Sequence, residues 1–265
     1  MTRSTIIAAL LLSLVCVLSL QGADGNASKD AFVLPGDVIL PQIATGGDGA
    51  QGFFMTFQSV NITNAAASVQ ISFFDSTGNP MVLDFVEDGT PVTASFLSKT
   101  LGAKGSSFAR TFPMGATQVG YARVQSTPPN SIAVSATFNQ AVTDRPLFQS
   151  FIPLSSGVQD RFLVPVLNSG VSTGSVAIVS LVSQQVTLTA RDTNGVALCS
   201  GTRMFAAGEH AAFVVSSLAA LSCTANVDSI LEVQGPEKAL SGVGITAQDS
   251  GAFSTQPVYG PVPAP

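Results

Sequence analysis

The chain has 265 residues, with 11 lysines and arginines against 16 aspartates and glutamates, a formal net charge of -5. Hydrophobic residues make up 46% and charged residues 10%, which excludes an intrinsically disordered chain, since disorder needs low hydrophobicity and high charge. The acid excess offers no cationic footprint for nucleic acid, and a single histidine, His210, leaves little material for acid–base chemistry or a zinc site.

Met1-Thr2-Arg3 supplies one positive charge, and Thr5 to Leu20 is an uncharged apolar run. A basic start, a short apolar core and small residues after it form the order of a secretory signal peptide. At 16 residues the run falls short of the ~20 that span a bilayer as a helix. Residues 1–27 are therefore predicted to be a signal peptide and its cleavage region, with cleavage between Gly22 and Ala27. Cys16 follows Leu14 and Val15 instead of small residues, which argues against a lipid anchor. An uncleaved membrane anchor is the rival reading. The chain is expected to be exported (secreted, periplasmic or at the cell surface), with no membrane span left after cleavage.

Short strand patterns follow. Val69, Ile71 and Phe73 alternate with Gln70 and Ser72, ahead of Asp75-Ser76-Thr77-Gly78-Asn79-Pro80. Ile132, Val134, Ala136 and Phe138 alternate with Ala133, Ser135, Thr137 and Asn139. Val186, Leu188 and Ala190 alternate with Thr187 and Thr189, ahead of Asp192-Thr193-Asn194-Gly195. Period-two alternation buries one side-chain set and wets the other, and Gly and Asn tolerate the positive φ that turns require. No long amphipathic helix appears. The pattern predicts antiparallel sandwiches.

An internal repeat divides the chain. Leu40 to Met81 and Val164 to Leu198 each run from a Pro-led segment through a Gly/Ser-rich turn and a β run to an alternating strand and a D-x-x-G turn. Ala122-Arg123-Val124-Gln125, followed by IAVSATFNQ, parallels Leu231-Glu232-Val233-Gln234, followed by LSGVGITAQ. AKGSSFARTF from Ala103 aligns loosely with AAGEHAAFVVSSL from Ala206. The prediction is a first sandwich domain over 28–156, a second over 157–258 and a Pro-rich, extended tail over 259–265. The boundary is expected near Ser155 to Asp160.

With the signal removed, Cys199 and Cys223 remain. Two cysteines in an oxidising compartment are expected to form one disulfide, and the absence of a C-x-x-C spacing argues for a structural staple over a redox pair.

The second repeat, through Asp192 to Gly195, Ala206-Ala207-Gly208-Glu209-His210-Ala211-Ala212-Phe213, Leu231-Glu232-Val233 and Thr255-Gln256-Pro257-Val258, resembles the immunoglobulin-like repeats of exported, mostly uncharacterised bacterial proteins. The resemblance covers most of Val164 to Val258; the first repeat departs more, with no clear A-A-G-x-x-A-x-F segment. It implies an immunoglobulin-like fold, a short helical turn at Ala206 to Phe213 and a scaffold or adhesion-like role, with no catalytic residues to carry over.

His210 beside Glu209 is the one imidazole through which a Ser-His-Asp mechanism would run, but no G-x-S-x-G elbow accompanies it. It is expected to face solvent. Asp84, Glu87 and Asp88 form an acidic cluster, and Asp48 sits in a Gly-rich loop. Asp84, Glu87 and Asp88 are the calcium candidates, but no D-x-D-x-D-G run completes a loop, so a solvated hairpin end is the expectation and no metal or other cofactor is predicted. A sugar platform would draw on Tyr121 and Tyr259, while the phenylalanines, Phe53-Phe54, Phe73-Phe74 and Phe108 among them, read mainly as core or interdomain packing. Asn61-Ile62-Thr63 formally fits a glycosylation acceptor.

These features predict an exported, non-catalytic all-β protein of two tandem immunoglobulin-like antiparallel sandwiches with a structural or protein-interaction role. A carbohydrate-binding module is the first alternative and an enzyme with an unrecognised site the second. The expected partner is an extracellular or periplasmic protein or a glycan.

Overall fold

A computed structural model describes residues 37–152 and 158–260. The signal peptide, part of the domain boundary stretch and the end of the tail lie outside the described residues. The chain is all-β, with antiparallel sheets throughout. Its strands are β1 Val38–Gly47, β2 Gln51–Asn61, β3 Ala67–Asp75, β4 Leu83–Glu87, β5 Thr90–Ala94, β6 Phe96–Leu101, β7 Ser106–Thr111, β8 Gly115–Thr127 and β9 Ile132–Val142. They continue with β10 Phe148–Ile152, β11 Arg161–Val166, β12 Ser172–Ser180, β13 Gln184–Arg191, β14 Ala197–Phe205, β15 Glu209–Val214, β16 Ser229–Gln234, β17 Leu240–Gln248 and β18 Phe253–Gln256. Two short 3-10 turns, Val215–Ser217 and Ala219–Thr224, lie between β15 and β16. The chain divides into two compact units, one mainly of residues 37–152 and the other mainly of residues 159–260.

In the first unit β2 is the hinge of the hydrogen-bond network. One edge pairs with β9 over its whole length, from Gln51↔Val142 to Asn61↔Ile132. The other edge is shared, β1 meeting Phe53 and Gly52 while β7 takes Thr56 to Val60. The network thus forms two limbs, β10-β9-β2-β7-β4-β5 and β1-β8-β3-β6. Gly46, at φ 90, sits where they join, and a Cβ there would run into the Ala116 carbonyl. The limbs face one another. Phe73 of β3 lies 5.5 Å from Phe57 of β2 and 5.0 Å from Phe85 of β4, ring centre to ring centre, and all three are buried. Burying a ring of this size stabilises by roughly 1.5–3 kcal/mol.

The second unit has two four-stranded sheets, β11-β16-β13-β14 and β15-β12-β17-β18. Phe162, Val164, Leu188 and Val233 from one sheet form a single buried cluster with Val176, Ile178, Phe213 and Leu240 from the other. That makes it a β-sandwich.

The two units share one topology. The sheet order β1-β8-β3-β6 recurs as β11-β16-β13-β14, and β7-β2-β9-β10 recurs as β15-β12-β17-β18. Register agrees as well: Arg123, flanked by Ile39 and Ser72, corresponds to Glu232, flanked by Leu163 and Thr189. Counting on along β3 and β13, Asp75 falls on Asp192 and Gly78 on Gly195. Asp75 Oδ1 accepts the N–H groups of Thr77 and Asn79, both at 2.9 Å; Asp192 Oδ1 accepts those of Asn194 at 2.9 Å and Val196 at 2.8 Å. Gly78 and Gly195 take φ of 81 and 82 in these turns.

The alignment also places a reversed ion pair. Asp37, just before β1, accepts from Arg123 of β8, with Nε at 2.9 Å. At the matching positions Arg161 of β11 donates to Glu232 of β16, and Arg191 Nε joins at 2.6 Å. Asp37 and Glu232 are both buried. A carboxylate out of water needs a partner, because removing it costs several kcal/mol.

Each unit adds one part to this frame. The first inserts the β4–β5 hairpin between its third and fourth shared strands, where β4 pairs with β7 and widens the sheet. The second inserts the 3-10 turns between its fifth and sixth, and the Cys199–Cys223 disulfide ties them to β14. Its Cα atoms are 6.3 Å apart across a sequence separation of 24, a loop whose closure stabilises by roughly 3 kcal/mol. Gly201 of β14 fits beneath: a Cβ there would fall 2.5 Å from that of Ala220.

One sequence expectation is corrected. Ala206 to Phe213 is a tight turn at Gly208 running into β15, not a helical turn, because residues 209–214 pair with Ser175 to Ser180 of β12. At the start of the tail, Tyr259 and Leu163 exchange two backbone hydrogen bonds of 2.8 Å.

The reversed pair predicts a compensation. Asp37→Arg or Arg123→Glu alone is expected to destabilise the protein by about 3 kcal/mol in urea unfolding, since each leaves buried like charges. The double variant, which copies the second unit's polarity, is expected to recover most of that loss. A double variant as unstable as the sum of the singles would refute the equivalence.

Candidate functional site

Residues 106–112 read Ser-Ser-Phe-Ala-Arg-Thr-Phe, and strand alternation sends their large side chains outward. Ser107, Ala109 and Thr111 are buried on the inner face; Phe108 and Phe112 are 50% and 44% exposed. Small inward residues suit a core already filled by Phe57 and Phe85. Of the two places the sequence allows Phe108, core or interdomain packing, the core is excluded.

The inserted hairpin turns that outward face into a concavity. Val86 of β4 and Thr56 of β2 flank Arg110 in one row across the sheet. With Phe108, Phe112, Pro113 and the hairpin residues Asp88 and Gly89 they line an open, largely apolar groove of about 520 Å³.

Arg110 stands in the middle of this groove. Its guanidinium lies 4.1 Å from the centre of the Phe54 ring, a cation–π contact that covers one face of the group. Arg123, Arg161, Arg191 and Arg203 each hold a carboxylate, whereas Arg110 forms no ion pair among the described residues. The ring offers the guanidinium no acceptor oxygen, so the contact leaves its N–H donors for an acceptor.

The acidic cluster anchors the hairpin. Asp88, at the turn with φ 45, accepts the Phe108 N–H at 2.9 Å, Lys99 Nζ at 2.8 Å and Ser107 Oγ at 3.0 Å. Lys99 also lies 4.0 Å from Glu87. Donation from Lys99 first, then from Phe108, holds the Asp88 carboxyl below its ordinary range, and the same contact raises Lys99. Asp84 points elsewhere, accepting Thr93 Oγ1 at 2.6 Å. Asp48 accepts the N–H groups of Gln51 and Ala50, which lower its pKa. No group of three or more His, Cys, Asp or Glu side chains gathers among the described residues.

Tyr121 is 4% exposed and stacks on Phe74 at 5.0 Å, and burial pushes its hydroxyl up to about 12, so it offers no sugar platform. Tyr259 is exposed. His210 is 3% exposed on β15 opposite Val179, not facing solvent. Asn61 is fully buried: its Nδ2 donates to Ala65, Leu101 and Gly102 carbonyls and its Oδ1 accepts from Thr63, so the folded protein presents no glycosylation acceptor there.

No family model matches this chain, and no curated protein matches it. Among solved structures it aligns with a β-glucuronidase from glycoside hydrolase family 2 at 8% identity and a TM-score of 0.17. That alignment covers 82% of this chain and 25% of the other, and a similarity this low carries neither fold nor function.

The Asp88–Lys99 contact predicts a pH signature. The charged carboxylate is favoured in the folded state, so its contribution is complete above the unfolded carboxylate pKa and disappears as pH falls through the lowered folded value. Asp88→Asn is expected to reduce Tm by roughly 2–4 °C at neutral pH, with the gap to the parent closing below pH ~4. Thermal unfolding across pH measures this, and a gap independent of pH would contradict it.

Proposed function

We propose that this chain is an exported, non-catalytic protein of two tandem immunoglobulin-like sandwiches, and that it binds another protein through the groove on its first unit. The observation that carries this reading is the division between shared and added parts. The strand frame occurs twice, so it serves folding in both units, whereas the hairpin that builds the groove occurs in the first alone. An open apolar concavity rimmed by exposed Phe108 and Phe112 is the anatomy of a recognition surface, in which aromatic anchors dominate binding energy.

Export is supported by the signal-like start and by the disulfide, a bond that persists in oxidising compartments. Among the described residues no helix is long and apolar enough to cross a membrane. Two facing antiparallel sheets in units of about 100 residues suit immunoglobulin-like modules. A glycan ligand is the second reading. Phe108 and Phe112 are both exposed rings on the groove, the kind of surface that stacks on a sugar chain.

The test is binding of the chain from Ser28 to parallel arrays of extracellular proteins and of polysaccharides, beside Phe108→Ser/Phe112→Ser. Saturable binding to a protein, weakened at least about tenfold in the double variant, is expected. Binding confined to polysaccharides would replace the protein reading with the glycan reading. Protein binding indifferent to both substitutions would move the site off the groove.

A further inference from the structure

We propose that the groove reads an extended segment of a partner protein in which an aspartate or glutamate lies two residues from an apolar side chain on each side, with Arg110 as the anchor. This rests on the groove being the binding surface and adds the chemistry of what it binds.

Phe108 and Arg110 of β7, ~7 Å apart along the strand, and Phe112, one residue beyond its end, alternate with the buried Ser107, Ala109 and Thr111 and are themselves exposed. An extended peptide has the same repeat. Lying along β7, it sets its side chains i, i+2 and i+4 against ring, guanidinium and ring in turn. The rings favour apolar groups, and the guanidinium favours a carboxylate that accepts two parallel N–H bonds.

Charge complementarity singles out the acid. Arg110 is pinned over Phe54 and makes no ion pair among the described residues. The acid that lines the groove does not satisfy it, because Asp88 is engaged by Lys99, Ser107 and the Phe108 N–H. A carboxylate from outside meets a fixed donor set on apolar ground, where a charged hydrogen bond is worth more than in open water. Strand addition does not operate here, since β7 is paired with β2 on one side and β4 on the other. Recognition is therefore by side chains across the sheet face, and the sequence of the segment matters more than its backbone.

Selection from a random nonapeptide display library on the chain from Ser28 tests the proposal, using the parent, Arg110→Glu, Arg110→Lys and Phe108→Ser/Phe112→Ser. The parent is expected to enrich the pattern apolar-x-acidic-x-apolar. Peptides so selected should bind Arg110→Glu at least about tenfold more weakly, a loss of about 1.4 kcal/mol, and selection on that variant should switch the central residue to Lys or Arg. Arg110→Lys keeps the charge, so it should retain the acidic choice with a smaller loss, which separates charge reading from damage to the fold. Enrichment of no peptide, or of peptides indifferent to Arg110→Glu, would overturn the proposal. Of the latter, peptides that still need Phe108 and Phe112 would leave the groove as the binding surface and remove only its preference for acids. Peptides indifferent to all the variants would overturn the groove itself.

Discussion

Phe73 meets Phe57 and Phe85 across the gap between two limbs of one sheet, and the first unit is arranged so that those rings can meet. A chain with 10% charged residues has ample apolar surface to bury and little polar surface to decorate. Two facing sheets solve this by giving each strand an inner and an outer side. The glycine joint at Gly46 lets β1 leave the limb of β2 and join the facing one. In the second unit Phe162, Phe213 and their neighbours do the same work between two separate sheets.

The repeated frame fixes where polar groups can be tolerated inside. Both units bury one carboxylate beside their first strand, Asp37 in one and Glu232 in the other, and both satisfy it with an arginine at the reciprocal position. The two pairs stand at matched positions with opposite polarity. What distinguishes the units is added at loops between shared strands: a hairpin held by Asp88 and Lys99 in one, disulfide-tied 3-10 turns in the other. Each addition also reaches the core of its unit, the hairpin through Phe85 and the 3-10 turns through Leu221.

The frame was legible in the sequence where local chemistry repeats. Alternation at Val69 to Phe73 and Val186 to Ala190, the D-x-x-G turns and the paired A-R-V-Q and L-E-V-Q segments lie in the register the structure adopts. The Cys199–Cys223 pair follows from the two cysteines left once a signal peptide carrying Cys16 is removed from a chain read as exported. The groove was not legible. Phe108 reads as core by hydrophobicity, and its outward side is decided by Ala109 facing Phe57 of β2, a non-local pairing. Nothing local to Tyr121 signals its burial, because its cover, Phe74, is distant in sequence. His210 reads as exposed because an Ala-rich segment carries no strand signal until β12 pairs with it. Asn61 matches a local motif, while its burial depends on carbonyls about 40 residues away.

The central claim is that one strand frame occurs twice, and long-range NMR contacts test it directly on the isotopically labelled chain from Ser28. Cross-strand backbone contacts should join Arg123 to both Ile39 and Ser72, and, in the second unit, Glu232 to both Leu163 and Thr189. Finding both sets confirms the shared order and register. Finding β8 or β16 beside other strands, or in a register shifted by one residue, would contradict it.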